Sequence, residues 1–199
     1  MDSSARNYSF AEPMRKEIIN GNVYMMAGAS RAHNDILQNL TFILQRFLKG
    51  KTCKLYGENF AVYFDERSPQ VLPDIKIICD RSKIRDDKIY GAPDFIVEIL
   101  SNSTKKKDLT EKKDLYERSG VREYWIISPA EKSIQVYILQ NGKYDLDYIY
   151  HDFDEEYIEN KMKYGSDEQK EMVKVRTIKT SLYGDEMIIS ISEIFEDMF

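Results

Sequence analysis

Two short runs carry acids where their neighbours demand burial: Val71-Leu72-Pro73-Asp74-Ile75-Lys76-Ile77-Ile78 and Pro93-Asp94-Phe95-Ile96-Val97-Glu98-Ile99-Leu100. Glu98 stands inside an apolar strand, and a lone buried carboxylate is costly unless it is paired or binds a metal. Strand alternation puts Asp94, Ile96, Glu98 and Leu100 on one face, with Asp94 and Glu98 roughly 13 Å apart, too far to share an ion. Asp74 opens the preceding strand and can lie beside Glu98 if the two strands are neighbours. Two carboxylates from adjacent strands suit a hard divalent cation, Mg2+ or Mn2+, with positions left for water and a phosphate oxygen.

Such a site needs a basic group. Asp108, Lys112 and Tyr116 recur at i, i+4 and i+8 and form one helical stripe. If that stripe faces the sheet, Lys112 reaches back over the strand ends, where it could position or deprotonate an attacking water and offset phosphate charge. The same residues also fit a bland arrangement, a buried Glu98–Lys112 ion pair with Asp74 capping its strand after Pro73. Composition and periodicity do not separate the two. His33 is an accessory candidate that could touch a phosphate or an outer-shell water. Glu17 is a weaker one, because an acid beside a hairpin is usually solvated. Lys105, Lys106, Lys107 and Lys113 crowd around Lys112 and read either as phosphate-binding groups or as a solvated helix start. Tyr124 and Trp125 read as packing.

The elements that must position these groups are legible in outline. Ile18-Ile19-Asn20-Gly21-Asn22-Val23-Tyr24 predicts a β-hairpin with a type I′ turn. Ser30 caps a helix whose apolar residues recur from Ile36 to Leu48, up to Gly50. Strands are expected over 53–64, 71–79 and 94–100, with a polar loop from Asp80 to Gly91 carrying Arg81, Lys83, Arg85 and Lys88. A second helix over 107–119 ends at Gly120, followed by a strand at 123–127 and a hairpin, 133–140 and 143–151, around Asn141-Gly142. Residues 1–12 read as a frayed start and 154–171 as a charged surface insertion. A last strand near 173–180 and a short helix near 192–198 close the chain. The pattern is α+β, a sheet carrying helices, in one domain over 1–199.

Bulk properties narrow the partners. With 42% hydrophobic and 12% aromatic residues, 14 of them Tyr, the chain is a folded protein rather than a disordered one. Its net charge of −5 confines any nucleic-acid contact to a local basic patch. Cys53 and Cys79 have no CxxC spacing or neighbouring His, which argues against zinc, and their apolar strand settings suggest reduced, buried thiols. No apolar run is long enough for a signal peptide or membrane span, so the expectation is a cytoplasmic protein. No phosphate-binding glycine loop predicts a nucleotide cofactor.

The run GAPDFIVEILSNSTKKKDLTEKKDLYERSGVREYWIISP resembles the signature of the Uma-type family of restriction-endonuclease-like proteins, a branch of the PD-(D/E)XK nuclease superfamily. The resemblance extends to Leu72-Pro73-Asp74-Ile75, the KEIINGNVY hairpin, His33-Asn34 and the C-terminal SLYGDEMIISISEIF, and so covers nearly the whole chain. It implies a restriction-endonuclease-like core, a mixed four-stranded sheet flanked by helices with a divalent-metal site. Asp74 would match the PD aspartate, Glu98 the second acid and Lys112 the family lysine that precedes a tyrosine by four residues. One departure matters: the superfamily lysine normally sits two residues after the acid, where this chain has Leu100. The resemblance therefore places the lysine on the helix, and Lys112 is favoured over Lys113, whose direction differs by about 100°.

The leading expectation is a Mg2+- or Mn2+-dependent endonuclease acting on DNA, with a homodimer as a candidate assembly because two strands need two sites. The alternative is a non-catalytic nucleic-acid- or protein-binding module that retains the fold. A weaker third reading is a metallo-hydrolase of small phosphate esters.

Overall fold

The computed structural model describes residues 16–19, 22–25, 29–65, 70–101, 105–183 and 186–198. Residues 1–12 and the Asn20-Gly21 tip of the first hairpin lie outside them. The hairpin's strands, β1 (Lys16–Ile19) and β2 (Asn22–Met25), pair antiparallel as expected. Helix α1 (Arg31–Leu48) begins where the Ser30 side chain accepts the His33 N–H, and it buries Ile36, Leu40, Ile43, Leu44 and Leu48.

The expected strand over 53–64 is two strands, β3 (Lys54–Gly57) and β4 (Ala61–Tyr63). The break is a turn over Gly57-Glu58-Asn59-Phe60, closed by the Phe60 N–H on the Gly57 carbonyl at 3.3 Å. The strand expected over 71–79 is likewise divided, into β5 (Gln70–Val71) and β6 (Ile75–Ile78), because Pro73 donates no ladder bond. The polar 80–91 loop contains a 3-10 turn, Arg81–Lys83, and a short strand, β7 (Lys88–Tyr90), which runs parallel to β4. Then come β8 (Phe95–Ile99), a broken helix described below, β9 (Glu123–Ser128), and the hairpin β10 (Ser133–Gln140) and β11 (Lys143–His151). Asn141 and Gly142 at that hairpin's tip have φ of 52° and 79°, the left-handed pair a type I′ turn requires.

Among the described residues the main sheet has six strands in the order β11-β10-β9-β8-β6-β3, two more than the four-stranded core expected. Only β8 and β9 in it are parallel, so the fold is mixed α+β. One sheet face, with Ile75, Ile77, Phe95, Val97 and Trp125, packs on α1. The other, with Ile78, Ile96, Leu100, Tyr124 and Ile126, packs under the first hairpin and the broken helix. Tyr124 and Trp125 are both core residues, as their strand predicts.

The helix expected at 107–119 is α-helical over α2 (Lys105–Lys107), π-helical over Asp108–Lys112, and α-helical again over α3 (Lys113–Ser119). Gly120 ends it at φ 85°. The charged stretch after β11 folds as a helical pair, α4 (Glu155–Tyr164) and α5 (Asp167–Lys174), each capped by the side chain before it, Asp154 and Ser166. The closing strand is a pair, β12 (Thr177–Lys179) and β13 (Ile188–Ser190), and the final helix α6 is one turn, Ile191–Ile194.

The cysteines overturn the reading of reduced thiols: Cys53 and Cys79 form a disulfide. The reason is register. Lys54 pairs with Ile78 in the antiparallel β3–β6 ladder, so the residues one step beyond each stand opposite one another. Strand pairing across 26 residues is a tertiary fact that the absence of a CxxC motif does not report.

Candidate active site

The antiparallel β6–β8 ladder sets the site. Ile75 pairs with Val97, and the register continued by one step places Asp74 across from Glu98. Both carboxylates are buried. The Ile99 N–H donates to Asp74 Oδ2 at 2.7 Å, and His33 Nε2 approaches the same oxygen at 3.2 Å. Glu98 Oε1 accepts from Lys112 Nζ at 2.9 Å and from the Tyr116 hydroxyl at 2.6 Å. The hydrogen bonds thus converge on one oxygen of each acid, and Oδ1 of Asp74 and Oε2 of Glu98 are the atoms a cation would take.

Lys112 is 2% exposed and touches three carboxylates, Glu98, Glu17 at 3.0 Å and Asp108 at 3.4 Å. The Asp108–Lys112–Tyr116 stripe therefore does face the sheet. The stripe runs through the π turn, whose first and last residues, Asp108 and Lys112, are both buried. Two contacts hold the turn from outside: the Tyr24 hydroxyl donates to Glu111 at 2.6 Å, and the Tyr124 hydroxyl to the Asp108 carbonyl at 3.0 Å. Lys113 points elsewhere, its ammonium 3.9 Å from the centroid of the Tyr137 ring.

Glu17 is the residue whose place the sequence understated. It is fully buried rather than solvated, accepts the Leu72 N–H at 3.0 Å, and pairs with both Lys107 and Lys112. An acid in a hairpin strand between apolar residues was the available signal. Lys107 is accordingly buried too, below the Tyr24 ring, so it is not a solvated helix-start lysine. Lys105 pairs with Glu131 at 3.1 Å and Lys106 is exposed. Asp94, on the strand of Glu98, accepts the Cys79 N–H and pairs with Arg122 at 2.7 Å, away from the cluster.

Lys76 was missed. It is fully buried on the same sheet face as Ile78 and Ile96, and its ammonium donates to the Pro73 carbonyl at 3.0 Å. Burial drives its pKa down to about 7, against the pull of Glu98 and Asp74. A charged residue inside a run of aliphatic ones is the signal that could have found it.

The electrostatics are those of a crowded, dry cluster. Burial pushes Glu98 well above the usual carboxylate range despite Lys112. Burial also opposes the charge on Lys112, but Glu98, Asp108 and Glu17 outweigh it and hold the ammonium well above its ordinary value. For Glu17 the balance falls the other way, since Lys112 and Lys107 overcome burial and lower it. His33 is raised: burial disfavours the imidazolium, but the Asp74 carboxylate wins. His33 Nδ1 is buried and has no hydrogen-bond partner among the described residues.

The donor chemistry fits a hard divalent cation, because the two facing acids offer oxygen only. Among the described residues no group of three or more His, Cys, Asp and Glu side chains stands in ion-holding geometry, so water would complete the shell. No helix among them is long and apolar enough to cross a membrane.

Comparison with known proteins gives a consistent picture. The model of a family described as "Putative restriction endonuclease" matches residues 5–162. Two proteins of Synechocystis sp., each described as uncharacterized, are similar: slr1290 is 25% identical over 124 residues and sll1609 is 26% identical over 116. Those matches cover 62% and 57% of this chain, and 65% and 66% of the relatives, just under two thirds of their length. A crystal structure from Anabaena variabilis, described as a putative nuclease belonging to DUF820, superposes with a TM-score of 0.65 over 90% of this chain and 89% of its own, at 18% identity. At that identity the likeness is one of fold.

Proposed function

The chain belongs to the Uma2 family, described as putative restriction endonucleases, and on that premise we propose that it is a Mg2+- or Mn2+-dependent endonuclease that hydrolyses phosphodiester bonds of DNA. The observation that carries the reading is the placement of Asp74 across from Glu98 on neighbouring antiparallel strands, with Lys112 Nζ 2.9 Å from Glu98. Asp74 and Glu98 would hold the ion through Oδ1 and Oε2. A divalent ion there supplies Lewis-acid stabilisation of a phosphoryl oxygen and a more acidic water.

The chain's own groups do the positioning. Lys112 and the Tyr116 hydroxyl fix Glu98 by its other oxygen. The Ile99 N–H and His33 do the same for Asp74. Lys112 also contributes positive charge where negative charge builds on a phosphate. Exposed cations, Lys106 and the Arg81 and Arg85 of the 81–88 loop, would meet the backbone of DNA without reading its sequence. A homodimer would supply the second site for a second strand.

The test is cleavage of supercoiled and single-stranded DNA with Mg2+, Mn2+ or EDTA. Wild type is compared with Asp74→Ala, Glu98→Ala and Lys112→Ala. Lys112→Ala strands buried carboxylates and should cost about 3–5 kcal/mol of stability, so each variant is first checked for a folded far-UV spectrum. Loss of cleavage with EDTA and in every folded variant is the expected result. Full metal-dependent cleavage by Asp74→Ala sinks the proposal. Mn2+ binding through Asp74 and Glu98 without turnover moves the function to the binding-module reading.

A further inference from the structure

The sheet face that carries the two acids also carries a lysine that neither the family motif nor the proposed chemistry uses. Lys76 pairs with Ile96 in the β6–β8 ladder, so Glu98, two residues further along β8, is its diagonal neighbour on that face. Asp74 lies two residues before it, just ahead of its strand. The ammonium is sealed from solvent and held by the Pro73 carbonyl, at the peptide that leads into Asp74. Lys112, by contrast, is engaged by three carboxylates on the helix side of Glu98. The cluster therefore has two cations from the helix, Lys107 and Lys112, and a third, Lys76, from the sheet itself.

We propose that Lys76 is the resident counter-cation of the Asp74–Glu98 pair, a buried charge that an incoming divalent ion must work against. This rests on the metal-site reading above. A buried ammonium beside the acid pair repels a divalent ion far more than it would in water. It restrains loading of the bare site and leaves the ion's affinity to be raised by a phosphate group that brings compensating negative charge. The strand lysine in this chain thus sets when the metal binds, not how the water attacks.

The test is Mn2+ affinity, measured by calorimetry at pH 6 on the whole protein without nucleic acid, for wild type, Lys76→Met, Lys76→Gln, Lys76→Arg and Glu98→Gln. Lys76→Gln keeps a donor for the Pro73 carbonyl while removing the charge, so it stands in if Lys76→Met fails to fold. The neutral variants should bind Mn2+ more tightly, on the order of tenfold, while Lys76→Arg, which keeps the charge, should bind like wild type. Unchanged or weaker binding in folded Lys76→Gln overturns the proposal, because a purely structural lysine predicts that. Binding by Glu98→Gln equal to wild type, or none by wild type and the neutral variants alike, removes the metal site itself and the proposal with it.

Discussion

Glu98 is a carboxylate in a place that does not favour its charge. Burial raises its pKa well above 4.5, so the folded protein takes up a proton there more readily than the unfolded chain. Stability linked to Glu98 is therefore greatest at low pH and declines as pH rises from the unfolded value towards the folded one. Glu98→Gln keeps an acceptor for Tyr116 and leaves Lys112 with Glu17 and Asp108. Chemical denaturation should find it no less stable than wild type at pH 8, although its DNA cleavage should fall by at least about a hundredfold. His33 carries the opposite sign of charge. Its pKa is raised by Asp74, so its contribution is fully present below the unfolded value of 6.5 and is lost as pH climbs through the folded one. The difference in melting temperature between wild type and His33→Asn should accordingly narrow from pH 6 to pH 9, and a constant difference would mean that the pair is not charged.

At the scale of elements, the decisive feature is the π turn between α2 and α3. Taking one residue out of it would leave Asp108 and Lys112 three apart and swing Lys112 by about 100° against Asp108 and the sheet. Thr110 is exposed enough to lose, its hydroxyl bonding back to the Lys106 carbonyl at 2.7 Å. Deleting Thr110 should convert the turn to α-helix, preserve helicity by circular dichroism, and reduce cleavage to the level of Lys112→Ala. Cleavage that survives the deletion would show that the register of Lys112 is unimportant. The first hairpin acts at this scale too. It brings Glu17 under Lys107 and Lys112, and Tyr24 onto Glu111, so it closes the site rather than decorating the edge of the fold.

For the whole molecule, two layers meet at Asp74. Helix α1 reaches it with His33 from one side of the sheet, and β8 reaches it with the Ile99 N–H. The Cys53–Cys79 disulfide fastens the outermost strand, β3, to β6, the strand that Asp74 leads into. Closing a loop of 26 residues restricts the unfolded chain, so full reduction should lower stability by about 3 kcal/mol. Denaturant melts with and without dithiothreitol read this directly, and coincident melts would exclude a structural role for the bond. With a net charge of −5, DNA contact depends on where the cations sit. Much of the apparent lysine cluster is already paired, Lys107 and Lys112 inside the protein on Glu17 and Glu98, and Lys105 at the surface on Glu131.

The residues alone determined the elements with strong periodicity and turn chemistry: α1 from Ser30, the two hairpins, β8, β9, and the stop at Gly120. They also singled out Asp74 and Glu98, because an acid among aliphatic residues needs compensation, and Lys112, because its stripe could be counted. What compensates Glu98 was not local. Register across β6 and β8 decided that Asp74 faces it, and register across β3 and β6 joined the two cysteines. The π turn escaped a reading built on the α-helical period, because one extra residue in a turn leaves the apolar spacing on either side nearly intact. Glu17 and Lys76 escaped because each looks solvated or incidental in its own strand. Only packing of the hairpin and the helix over one sheet face removed water from both and made them members of one charge cluster.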